Sequence, residues 1–301
     1  MKKKLLSPKS DFIFKKIFGD HHNTDILAAF LQTVLDLPED EYEQLVIVDP
    51  HLKKESSGDK MGILDVKIHT KSGSIINVEI QVSSVPQMRE RIAFYTAKMI
   101  TEQIGDGEEY DVIKRVISII ISDYRMIQEN EQYHNRYRLY DPNTCSQFSD
   151  ILEVNVLELP KLPSVNDNTE LWDWMKFIKF EREEDLSMLA KKNPKIKKTV
   201  GILMELSQDE RARLLYEERE KARRDDMARY RGAKQEGLEK GLVEGLEKGL
   251  EKGLVEGLEK GREERQIEIA RNALKKKLSV EDIAEITGLT HQDIEKLRDE
   301  S

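Results

Sequence analysis

Apolar and polar residues alternate strictly on both sides of Lys71-Ser72-Gly73. Leu64, Val66 and Ile68 precede it, and Ile76, Val78, Ile80 and Val82 follow it, each separated from the next by one residue. Alternation of period two marks a strand with one buried face, so residues 63–82 predict a β-hairpin. A three-residue loop closed by a glycine in the left-handed region suits Lys71-Ser72-Gly73. It sets Thr70 opposite Ser74, Lys67 opposite Asn77 and Asp65 opposite Glu79. A slip of one residue would bring Asp65 against Ile80 and mix the two faces. In the favoured register one face is wholly aliphatic and the other carries Asp65, Lys67, Asn77, Glu79 and Gln81.

Helical spacing surrounds this hairpin. Ser10 is placed to cap a helix from Asp11 that buries Phe12, Phe14, Ile17 and Phe18, and a second helix spans Asp25 to Leu35. Leu45–Val48 reads as a short strand, followed by a loop over 53–60. From Gln87 to Ile104, Met88, Ile92, Tyr95 and Met99 recur at helical spacing, and this crossover helix is expected to pack on the aliphatic face. Val112–Ser122 is β-branched and almost continuously apolar, as suits a strand buried on both faces at the sheet centre. A further strand follows at Val154–Leu159, then a helix at Leu171–Phe180 whose Trp172 and Trp174 read as core. Helices continue through Leu203 and into the charged stretch Leu214–Met227.

The pattern then changes again. From Gly237 to Gly261 a Gly-Leu tetrad repeats with seven glycines four residues apart. On a helix of 3.6 residues per turn this row advances about 40° per repeat, and each glycine costs about 0.8–1 kcal/mol relative to alanine. The tract is expected to be a pliable, partly helical spacer or a self-association segment. Arg265–Leu297 returns to ordinary helical sequence, with caps at Ser279 and Thr290 and a turn at Gly288. This layout is helix-turn-helix-like, but Asp293, Glu295, Asp299 and Glu300 outnumber Lys296 and Arg298 on its last helix. That balance favours an assembly tail over tight DNA contact. The resulting organisation is an α/β core with helical extension over 1–230, a repeat spacer or self-association helix over 231–264, and a small helical tail over 265–301.

Composition narrows the class. Charged residues make up 36% of the 301, and hydrophobic ones 38%, so part of the length is expected to be extended helix rather than core. The single cysteine, Cys145, leaves no intramolecular disulfide and no cysteine-rich metal framework. The opening MKKKLLSPKSD lacks the apolar segment of a secretory signal, and no apolar run approaches the roughly 20 residues needed to span a bilayer. These features predict a cytoplasmic protein with no membrane association. A net charge of -9 does not advertise nucleic-acid binding, and the basic runs at 191–198 and 211–224 read as solvated faces.

The polar face of the hairpin carries the candidate chemistry. Two carboxylates directly opposite on a sheet repel, at a cost of a few tenths to about 1 kcal/mol, unless something neutralises them. A divalent cation does so, and hard oxygen ligands suit Mg²⁺, or Mn²⁺ or another divalent ion in its place. A metal held by Asp65 and Glu79 activates water and offsets charge on a phosphodiester. Gln81 could orient water or a phosphate oxygen. Lys67 either supplies positive charge to the site or pairs with Glu79 when no metal is bound.

The segments DVKIHT and VEIQV, with the opening SPKSDFIFKKIFGD, the stretch RERIAFYTAKMITEQIGDGEEYDVIKRVISIIIS and the Gly-Leu-Glu-Lys tail, resemble the PD-(D/E)XK nuclease superfamily. The resemblance is closest to its recombination-promoting nuclease and transposase branch and covers most of residues 7–160. It implies an α/β, restriction-endonuclease-like core with a mixed central sheet flanked by helices, plus a helical C-terminal tail. It also implies a metal-dependent DNA endonuclease linked to recombination or mobile elements. Carried over by position, Asp65 and Glu79 match the metal ligands, and Gln81 stands where the superfamily has lysine. Asp11 matches an acidic position on the first helix, with a helix-dipole role as the alternative. Arg91 and Tyr95 match the Arg and Tyr pattern of the branch and share one helix face. The expected partners are DNA and a second copy of the chain, with a dimer favoured. The competing expectation is a DNA-associated scaffold or regulator whose nuclease core has decayed, acting through an oligomerising tail.

Overall fold

The computed structural model describes residues 4–49, 51 and 65–299. The anticipated loop over 53–60 and the hairpin residues Ile63 and Leu64 lie outside the described residues. The chain forms two compact units, Met1–Ala222 and Arg223–Ser301.

The first unit opens with helices α1 (Asp11–Phe18) and α2 (Thr24–Val34), followed by three strands: β1 (Val46–Val48), β2 (Val66–His69) and β3 (Ile75–Gln81). Helix α3 (Met88–Thr101) leads to β4 (Val116–Ser122), β5 (His134–Tyr140) and β6 (Gln147–Glu158). Helices α4 (Glu170–Lys179), α5 (Glu183–Lys192) and α6 (Pro194–Gln208) follow, then α7 (Glu210–Lys275), within which the first unit ends. The six strands form one mixed sheet in the order β1-β2-β3-β4-β6-β5. β1, β2 and β3 are antiparallel neighbours, β3, β4 and β6 run parallel, and β5 is antiparallel to β6.

The hairpin has the register that its alternation and turn dictate. Val66 pairs with Val78 and Lys67 with Asn77. The Thr70 N–H donates to Ser74 O at 3.0 Å, the Gly73 N–H donates to Thr70 O at 3.0 Å, and Gly73 sits at φ +89°, where a side chain would be strained. The aliphatic residues Val66, Ile68, Ile76, Val78 and Ile80 join Ile117, Ile119 and Ile121 of β4 in the main core. The aromatic residues of α1, α2 and α4 close this core, with Trp174 packed among Phe18, Phe30 and Phe177.

Helix α3 lies on the other face, contrary to the expectation from its spacing. Met88 and Ile92 pack with Ile120, Met126, Ile127 and Val156, and Met99 packs with Ile75 and Val116. The Thr96 hydroxyl meets that of Ser118 at 2.7 Å. Because Ser118 is in register with Asn77 and Ile120 with Glu79, α3 covers the polar face of the hairpin. The aliphatic face was already taken by α1, α2 and α4. α3 instead serves the apolar rim that β4 and β6 contribute, with a threonine to match the buried serine.

β4 is buried along its whole length and interior to the sheet, as a continuous β-branched run requires. Two features were not anticipated. β5 was missed because its charged residues form an edge strand without clean alternation. β6 runs on from Gln147 because its first half is paired only with β5, through two register shifts, and so bears little apolar signal. Lys195 and Lys198 of the basic run on α6 both reach the Asp25 carboxylate, at 2.9 and 2.7 Å.

In the second unit α7 continues to Lys275 and is followed by α8 (Val280–Thr287) and α9 (His291–Asp299). The Ser279 hydroxyl caps α8 by accepting the Asp282 N–H, Gly288 ends it at φ +73°, and Thr290 caps α9 through the Asp293 N–H. Ile283 and Ile294 are buried against Ala270 and Ala273. The Gly-Leu repeat is helical throughout, where partial helicity was expected. Ion pairs four residues apart, Glu236–Lys240, Glu244–Lys248 and Lys252–Glu256, each recover about 0.2–0.5 kcal/mol, which offsets only part of the glycine cost.

Trp174 is fully buried, so Trp174→Ala is expected to destabilise the first unit by about 3–5 kcal/mol. Denaturant unfolding followed by Trp172 fluorescence checks this.

Candidate active site

The carboxylates sit where β2 and β3 meet the end of α1. Asp65 immediately precedes β2, and its Oδ2 accepts the Ile80 N–H of β3 at 2.9 Å. Its Oδ1 lies 3.0 Å from the Lys15 ammonium. Glu79, two residues from the end of β3, is held from both sides: Asn77 Nδ2 donates to Oε1 at 2.9 Å and Gln81 Nε2 to Oε2 at 3.0 Å. Alternation along β3 puts these two amides on Glu79's own face.

Burial raises the proton affinity of both acids. For Asp65 it outweighs the Ile80 N–H and the Lys15 charge, and the negative charge of nearby Asp11 adds to it. For Glu79 burial again leads, opposed by the Asn77 and Gln81 amides and the Arg91 charge, and reinforced by Asp65. Glu153 on β6 shows the other outcome. It is also buried, yet hydrogen bonds from Asn155 and Arg138 and the Arg115 charge hold its carboxyl below the usual range. Glu153 is therefore neutralised by protein, whereas Asp65 and Glu79 are two crowded acids short of positive charge.

Those residues fit a divalent cation. Both acids offer hard oxygens, and the Asn77 Oδ1 beside Glu79 is buried without a hydrogen-bond partner, which is costly for a carbonyl unless something binds it. Among the described residues no three His, Cys, Asp or Glu side chains converge. A two-carboxylate set completed by water is the usual pattern for Mg²⁺.

The remaining candidates divide. Asp11 is near enough for its charge to act on Asp65, while its Oδ2 pairs with Arg219 of α7 at 2.9 Å. Arg91 and Tyr95 share a face of α3, with the guanidinium 5.2 Å from the ring centroid, and the Arg91 charge reaches Glu79. Lys67 does not pair with Glu79. Its ammonium lies 4.0 Å from Glu102 at the end of α3, because α3 covers this face and brings its own acid there. Gln81, expected to orient water or a phosphate oxygen, donates its amide to Glu79. Lys15, not among the candidates from sequence, reaches the site through Asp65. Its signal was present in the spacing, since Lys15 follows Asp11 by four residues and so shares its face of α1.

A mixed sheet whose central hairpin presents an Asp, then a Glu and a polar residue two positions on, beneath a crossover helix, defines a restriction-endonuclease-like α/β core. Residues 8–233 match the family described as PD-(D/E)XK nuclease family transposase, and this chain belongs to that family. Residues 263–299 match the C-terminal HTH domain of the Rpn/YhgA-like nuclease family, so the tail is a helix-turn-helix domain. No curated protein and no solved structure matches the chain.

Glu79→Gln tests the charge crowding. Because the folded pKa of Glu79 is raised, its stabilising contribution is present in acid and is lost as pH rises through that value. Metal-free Glu79→Gln is therefore expected to melt above the wild type at pH 7. The difference should shrink towards pH 4, as recorded by thermal melts with a chelator present.

Proposed function

We propose that this protein is a Mg²⁺-dependent DNA endonuclease that hydrolyses phosphodiester bonds in recombination or mobile-element processes. The observation that carries the reading is the pair of crowded, insufficiently neutralised acids, Asp65 and Glu79, on one sheet face. In this reading Asp65 and Glu79 bind the divalent cation, and Asp11 adds negative charge at its margin. A bound Mg²⁺ or Mn²⁺ would acidify water and offset charge on the phosphate. Gln81 and Asn77 fix the Glu79 carboxylate in one rotamer, so that no side-chain freedom is lost when it binds. Arg91, held on Tyr95, contributes positive potential beside Glu79 that favours the DNA backbone.

Family membership supports nuclease chemistry, and the match of the tail to a helix-turn-helix domain supports DNA as partner, against the expectation of an assembly tail drawn from the acidic balance of its last helix. The reading puts the reaction in the cytoplasm. Among the described residues no helix is long and apolar enough to cross a membrane. The repeat segment at 231–264 acts as a self-association helix giving a dimer, which would bring two cores to one duplex. Support comes from its leucine row, with Leu238, Leu246 and Leu250 respectively 74%, 65% and 77% exposed.

Purified protein is expected to cut plasmid DNA with added Mg²⁺ or Mn²⁺, and Asp65→Ala and Glu79→Ala to fall to the level of DNA alone. Full activity in both variants would refute the site. Replacing Leu242, Leu246 and Leu250 together by Glu is expected to reduce the sedimentation mass from dimer to monomer. An unchanged dimer would remove the repeat from assembly.

A further inference from the structure

The position where the superfamily resemblance expects a lysine holds Gln81, and its amide is spent on Glu79. Among the described residues the cations to weigh are Lys67, on the same hairpin face, Arg91, whose charge reaches Glu79, and Lys15, paired with Asp65. Lys67 is 12% exposed and faces Glu102, itself 9% exposed, whose Oε1 is buried without a hydrogen-bond partner. Withdrawing Lys67 would strand a buried charge. Arg91 makes no hydrogen bond to either acid and rests on Tyr95. Lys15 differs from both: its ammonium touches Asp65, and its side chain is 32% exposed.

Lys15 also opens onto a place where a polyanion can lie. It lines an open groove of about 390 Å³ together with Lys16, His21 and Arg219, the last paired with Asp11, and with a single acid, Asp20. Its position is set by packing rather than by a flexible loop. Phe12, Ile13, Phe14, Ile17 and Phe18 bury the rest of α1. Gly19 then lets the helix end close on β2. A Cβ there would lie 2.8 Å from the Lys15 carbonyl oxygen and 3.4 Å from Val66 Cγ2, and Val66 is the residue after Asp65.

We propose that Lys15 is the catalytic cation of this site: held on Asp65 in the free protein, it turns to a non-bridging oxygen of the scissile phosphate when DNA occupies the groove. The inference rests on the nuclease reading above. The Asp65 carboxylate is mostly buried, so parting Lys15 from it strands a charge unless another cation takes that charge up. A divalent ion held by Asp65 would do so, and Lys15 would then be free to exchange Asp65 for phosphate. Lys15 forms and breaks no covalent bond. Water attacks phosphorus and forms a new P–O bond while losing a proton to solvent. The P–O bond to the leaving sugar oxygen breaks, that oxygen takes the electron pair and a proton from solvent, and the ammonium offsets the charge that gathers on the non-bridging oxygen.

The test uses full-length Lys15→Met, which keeps the unbranched stem without the charge, alongside Lys15→Gln and Lys15→Arg. Cleavage kcat is expected to fall about 10²–10³-fold in the Met and Gln variants and to recover in part with Arg. Calorimetric affinity for Mn²⁺ alone should stay the same or tighten, because a competitor for Asp65 is gone. Loss of Mn²⁺ binding in both neutral variants would make Lys15 a structural partner of Asp65 and overturn the proposal. Wild-type cleavage by Lys15→Met with an inactive Asp65→Ala would overturn it while leaving the nuclease site intact. Full activity of Asp65→Ala would remove the reading on which it rests.

Discussion

Two carboxylates crowded on a covered sheet face are the constraint around which this core is arranged. An antiparallel hairpin normally exposes its polar face, but here α3 lies over it, so Asp65 and Glu79 are surrounded by protein while keeping a path to solvent. The surrounding elements supply partial relief: an ammonium from α1, a backbone N–H from β3, two amides flanking Glu79 and a guanidinium from α3. None of these neutralises the pair as arginines neutralise Glu153. A fold that only had to be stable would have placed apolar side chains at such positions.

The hairpin was the most legible part of the chain, because period-two alternation, turn chemistry and the cost of mixing faces all specify one register. That register directs Asp65 towards Glu79, although Asp65 stands just outside the ladder and its carboxylate turns to the Ile80 N–H. Which face α3 would cover was not legible. Its apolar residues announce only that one side is buried, and the choice depended on α1, α2 and α4 having already filled the aliphatic side. The roles of the amides and lysines were hidden for the same reason. Lys67 is drawn to Glu102 by a helix distant in sequence, and Lys15 reaches Asp65 only because Gly19 lets α1 close on Val66. β5 escaped notice because an edge strand with charged residues on both faces has no periodic signature.

In the tail, local signals were enough. Ser279, Gly288 and Thr290 marked the ends of α8 and α9 by capping and left-handed geometry, which depend on neighbours in sequence rather than on tertiary partners. The Gly-Leu repeat was harder to read. Intrinsic propensity counts against a helix and the leucines are exposed, so the local sequence announced only partial helicity, and the ion pairs four residues apart favour the helix by small increments.

The central claim is that the polar face of the hairpin is one divalent-cation site built on two acids. Calorimetric titration of the full-length protein with Mn²⁺ at pH 7 measures it without reference to DNA or catalysis. One ion per chain, with binding lost in both Asp65→Asn and Glu79→Gln, is the predicted result. Undiminished binding in both variants, or no binding by a folded wild type, would contradict it.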